Sequence, residues 1–114
     1  MKNNWVYLFG KVAKAVEVLA TNPHEVKERV WVASKYLFML SPESVPPSCR
    51  DDVRWIQRML TRHPPSGYDK NALDATYRRT RPATAAKIAR RIWTLYHVME
   101  TAVDNYLVER GRRA

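Results

Sequence analysis

The sequence predicts an all-α protein: a small bundle of four main helices, the last of them long, with room for one extra short helix. Three observations carry that expectation. The chain of 114 residues has only three glycines. Strand-like alternation is nearly absent, and apolar residues recur at three-and-four spacing instead. Apolar residues make up 46% of the chain, enough to close one core, so a single domain spanning 1–114 is expected.

The first helix is expected over residues 4–20, where Trp5, Leu8, Val12, Ala15 and Leu19 form one stripe beside Phe9 and Val16. Lys11 and Lys14 flank it. The second opens on "TNPHEVKERV". Asn22 is suited to cap, Pro23 to the first helical position and Glu25 to a reciprocal capping contact. Val26, Val30, Ala33, Leu37 and Leu40 then make its core face, and Trp31, Tyr36 and Phe38 lie off that face as a second packing surface. "SPESVPPS", residues 41–48, reads as a proline-punctuated turn.

The third helix is "SCRDDVRWIQRMLTR", with Ser48 as the expected cap and Asp51 and Asp52 in the first turn, where carboxylates suit the helix dipole. "HPPSGYDK" interrupts the chain, and "NALDATYRR" fits one short helix. Thr80 and Pro82 announce the last helix, residues 82–110, with Ile92, Met99 and Tyr106 along the middle of its apolar face. Gly111 is expected to stop it, leaving residues 110–114 as a frayed basic tail.

Net charge is +9, which points to an anionic partner. The excess is not spread evenly. Residues 50–91 hold eleven basic and four acidic side chains, whereas residues 92–114 hold three of each. Within the basic block Arg50, Arg54, Arg58 and Arg62 recur at every fourth position. Four residues turn a helix by about 400°, so successive arginines drift by only about 40° and rise by about 6 Å, near the phosphate spacing of a nucleic-acid strand. Like charges so placed repel, and an anionic partner relieves the repulsion. Arg78, Arg79, Arg81, Lys87, Arg90 and Arg91 extend the track, with Tyr68, Tyr77 and Trp93 interleaved as candidate stacking platforms for unpaired bases.

Several chemistries are not written in the sequence. The chain has too few glycines for a phosphate-cradling loop, and no histidine pair has metal-ligand spacing. The single cysteine, Cys49, excludes an intramolecular disulfide and reads as a small apolar residue. No catalytic residue, cofactor or metal is therefore assigned. No apolar run reaches the ~18 residues that span a bilayer. No cleavable leader is apparent, and a cytoplasmic location without membrane contact is expected.

The order "ERVWVASKYLFMLSPESVPPSCRDDVRWIQRMLTR", a broken connection, then "TAAKIARRIWTLYHVM" resembles a set of small uncharacterised all-helical bacterial proteins that end in an "A..IA..I..LY" helix. That resemblance implies fold and a bacterial setting, and carries no activity. In size, charge and helicity alone the chain is also similar to the small helical subunit of CRISPR effector complexes, which lines a nucleic-acid channel. "RRIWTLYH" resembles the arginine-to-histidine spacing of HEPN ribonucleases, with Arg90 or Arg91 for phosphate charge and His97 for proton transfer.

Three functions follow in order of expectation. The first is a non-enzymatic, nucleic-acid-backbone-contacting subunit or accessory of a larger bacterial assembly, for DNA or RNA. The second is a protein-interaction module that docks on an acidic protein surface or self-associates through Trp31, Tyr36 and Phe38 as a homo-oligomer. The third is a HEPN-like ribonuclease.

Overall fold

A computed structural model describes residues 3–113 of the chain. They form five α-helices: α1 (Trp5–Thr21), α2 (Val26–Leu37), α3 (Arg50–Leu60), α4 (Ala72–Arg79) and α5 (Pro82–Arg113). A short 3₁₀ turn, Pro47–Cys49, leads into α3. There is no strand among the described residues, and the all-α expectation is met.

The apolar stripes meet as their spacing requires. Leu8, Val12 and Ala15 of α1, Val30, Ala33 and Leu37 of α2, Val53, Ile56 and Leu60 of α3, and Ile88, Ile92, Leu95 and Met99 of α5 are all buried in one cluster. α5 is the spine: α1, α2 and α3 all pack on it. Its 32 residues span about 48 Å and set the long axis of a molecule measuring 56 × 28 × 17 Å.

Polar side chains fix the joints. The Gln57 amide of α3 donates to the carbonyls of Leu37 (3.0 Å) and Leu40 (2.7 Å), satisfying the open C-terminal end of α2. Asn71 caps α4 by accepting from the Asp74 N–H at 2.9 Å. The Trp31 indole donates to the Leu73 carbonyl at 3.1 Å and packs on Tyr77, so of the expected second surface Trp31 meets α4, whereas Tyr36 is half-buried and Phe38 exposed. Trp31 is thereby spent inside the chain.

Several helix ends differ from the expected ones; α2 stops at Leu37, short of Leu40, and α3 at Leu60, short of Arg62. α2 begins at Val26, not at Pro23. Asn22 closes α1, and its side chain accepts from the His24 N–H at 2.9 Å, a local turn that holds Pro23 outside the helix. Glu25 takes the cap position without a side-chain hydrogen bond. Ser48 does not cap α3; it lies within the 3₁₀ turn, whose own hydrogen bond (Cys49 N–H to the Pro46 carbonyl, 2.8 Å) supplies the entry. Finally, Gly111 does not stop α5, which continues to Arg113. No proline follows Gly111, and its arginine neighbours favour helix, so nothing terminates the run there. The tail expected at 110–114 is thus helical through Arg113; Ala114 lies outside the described residues.

Candidate nucleic-acid interface

The arginine row splits at the end of α3. Arg50, Arg54 and Arg58 stand on the helix, whose buried side is formed by Val53, Ile56 and Leu60. Thr61 closes the helix, its hydroxyl donating to the Gln57 carbonyl at 2.8 Å, so Arg62 lies beyond the last turn. Arg54, Arg58 and Arg62 are exposed, whereas Arg50 is half-buried.

Their surroundings differ. The Arg50 Nε is buried without a hydrogen-bond partner, in a cleft lined also by Asn4, Trp5, Glu43 and Val45. Arg54 has carboxylates only at the edge of contact, Glu43 at 3.8 Å and Asp51 at 3.9 Å. Glu43 is held below the usual carboxylate range, first by the Ser41 hydroxyl and further by the charges of Arg54 and Arg50. Arg58 has no carboxylate within ion-pair distance among the described residues. Arg62 donates to the His63 Nε2 at 3.3 Å and to the Met59 sulfur at 3.7 Å, and to no carboxylate.

The second cluster divides into engaged and open members. Arg78 grips Asp69 through two hydrogen bonds of 3.1 and 2.8 Å. Arg79 donates to the Pro64 carbonyl at 3.3 Å and the Ser66 hydroxyl at 2.6 Å. Both therefore staple the loop before α4. The Arg91 Nε donates to the Asp52 carboxylate, and its guanidinium lies 4.9 Å from the centre of the Trp55 ring, joining α5 to α3. The side chains of Arg81, Lys87 and Arg90 are exposed, with no hydrogen bond or ion pair to the rest of the described chain.

Between α3 and α5 lies an open cleft of about 600 Å³, lined by Trp55, Ala83, Lys87, Arg90, Arg91 and Thr94. Trp55 sits about 60° around α3 from Arg58, and none of Arg54, Arg58 and Arg62 lines the cleft itself. Open charges thus stand on the outer side of α3 and, as Lys87 and Arg90, on the rim of the cleft. Arg78 and Arg79 stand on α4.

Of the candidate stacking residues, Tyr68 is fully exposed, Trp93 is 51% exposed and Tyr77 is partly covered by Trp31 and the Lys27 ammonium. His97 is exposed; its ring stands edge-on to Trp93 at 4.2 Å and its Nδ1 is 3.9 Å from Glu100. Arg90 shares the His97 face of α5, whereas Arg91 is turned about 120° from it and bound to Asp52. No cluster of three metal-ligating side chains occurs among the described residues. None of their helices is long and apolar enough to cross a membrane.

Sequence reasoning missed Trp55 and Asp52. Asp52 could have been found: it falls between Cys49 and Ile56 on the apolar side of α3, where a carboxylate needs a cationic partner. Comparison with protein-family models, curated proteins and solved structures finds no match for this chain.

Proposed function

We propose that the protein is a non-catalytic accessory subunit of a bacterial cytoplasmic assembly that contacts the backbone of a nucleic acid. Arg54, Arg58 and Arg62 form the primary contact, and Arg81, Lys87 and Arg90 carry the track across α5. Arg50, Arg78, Arg79 and Arg91 support it from behind by shaping the helix ends and loops that present it.

One observation carries this reading: Arg58 and Arg62 project into solvent with no carboxylate of the chain to neutralise them. A guanidinium fork is suited to phosphate oxygens, and a row of such forks gains affinity by releasing condensed counterions. The α3–α5 cleft adds the Trp55 ring beside that row, although one face is already occupied by Arg91.

The test is fluorescence anisotropy with labelled single-stranded RNA, single-stranded DNA and duplex DNA across a salt series. Binding is expected to weaken steeply with salt. Replacing Arg54, Arg58 and Arg62 together by glutamine is expected to lower the log–log salt slope by about 2–3. Absence of binding at low salt to all three probes, or binding indifferent to the triple replacement, removes the proposal. The RNA probe is expected to stay intact; cleavage lost in His97→Ala would replace this reading with the ribonuclease one.

A further inference from the structure

Charge along α5 is segregated into blocks. Its amino-terminal half carries Lys87, Arg90 and Arg91, its later turns carry Glu100, Asp104 and Glu109, and its last turn is basic again with Arg110, Arg112 and Arg113. The outward strip of α5 also repeats with a period of three and four: Ala86, Arg90, Trp93, His97, Glu100, Asp104 and Leu107. That is the period of a helix that packs against another helix. Yet this strip faces away from the core formed by Ile88, Ile92, Leu95 and Met99.

The apolar members of the strip sit at its two ends. At one end, Val16, Leu19, Val26, Ala86, Ala89 and Trp93 line an open cleft of about 440 Å³. At the other end Leu107 and Val108 are 46% and 55% exposed, on turns that have left the bundle. Neither Arg90 nor Asp104 has an ion-pair partner among the described residues.

We infer that this strip pairs with the same strip of a second copy, antiparallel, about a two-fold axis near residues 95–97. In that arrangement Lys87 and Arg90 face Glu100 and Asp104 of the second copy, twice over. Leu107 and Val108 of each copy settle on the small side chains at Ala86 and Ala89 of the other, beside Trp93. The overlap is about 35 Å of helix, and the contact is isologous, as a two-fold dimer requires. A parallel pairing is disfavoured because it sets Arg90 against Arg90 and Asp104 against Asp104. Arg90 borders both surfaces. In the dimer it and Lys87 leave the nucleic-acid track to Arg54, Arg58, Arg62 and Arg81.

The proposal is tested without nucleic acid, by light scattering on the full chain at high micromolar concentration. Wild type is expected at twice the 13.3 kDa chain mass. The variant with Lys87→Glu and Arg90→Glu has a wholly acidic strip, and the variant with Glu100→Lys and Asp104→Lys a wholly basic one. Each is expected to be monomeric alone and to pair when the two are mixed. All four positions are outside the core, so circular dichroism should show both variants folded. A monomeric wild type, or a dimer that survives either charge reversal, overturns the inference.

Discussion

Asp52 and Arg91 are an unequal pair. The aspartate side chain is 13% exposed and the arginine 34%, so the two lose different amounts when parted. Without Asp52, Arg91 keeps its stack on Trp55 and its access to water. Without Arg91, Asp52 is a carboxylate on the apolar side of α3 with no cation to meet it. Arg91→Met is therefore expected to destabilise by about 2–3 kcal/mol and Asp52→Ala by about 1 kcal/mol. The double variant should lose less than the two combined, and urea unfolding of the four proteins measures that coupling. Equal losses for the two single variants would contradict the assigned asymmetry. The same pair shows where single-sequence reasoning stops. Asp52 is legible as a first-turn carboxylate, and its angular position marks it as needing a cation. Which of thirteen arginines answers depends on how α3 lies on α5, and spacing within either helix does not encode that.

At the scale of elements, long apolar periods are legible and ends are not. The core faces of α1, α2, α3 and α5 follow directly from the stripes. The start of α2 does not, because Asn22 can cap a helix or fold a local turn, and the competition is settled by the Val18 carbonyl and the His24 N–H. The row of arginines was legible as a helical ridge, but its last member was not, since the backbone leaves helical geometry at Thr61 (φ −129°, ψ 19°). The loop before α4 is held by side chains in the same way. Gly67 adopts φ +59°, a left-handed turn suited to glycine, and Asp69 accepts from both the Ser66 N–H and the Arg78 guanidinium. Arg78 first, and the Ser66 N–H after it, hold the Asp69 carboxyl below the ordinary aspartate range. A depressed folded-state pKa means that stability from this contact is complete above the unfolded value and lost as pH falls through the folded one. Wild type is thus expected to exceed Asp69→Asn in stability by a constant margin above about pH 5, and the margin should close below about pH 4. Urea midpoints at a series of pH values measure it. A margin that persists in acid would mean that Asp69 acts through packing instead of charge.

At the scale of the whole molecule, a 32-residue helix is too long for the bundle that it organises. α1, α2 and α3 cover its amino-terminal two-thirds, and buried residues recur down to Val103. From Asp104 onward every described side chain is exposed except that of Tyr106, which is half-buried and rests edge-on against Trp5. These last turns gain little from burial, and isolated helical turns are marginal in water. Opening there needs no rupture of the core, so amide exchange in dilute solution should be slow from Ala85 to Val103 and fast from Leu107 to Arg113. The length that leaves these turns bare in one copy is also what carries Leu107 to Ala86 of another in the antiparallel pair. Exchange at Leu107 and Val108 is therefore expected to slow as protein concentration rises, while exchange at Ile92 stays constant. The variant with Lys87→Glu and Arg90→Glu should keep the fast pattern at every concentration. Hydrogen–deuterium exchange read by mass spectrometry at two concentrations separates the outcomes. Protection of the distal turns that is already complete in dilute solution would place their stability in the monomer and deny the second copy that role.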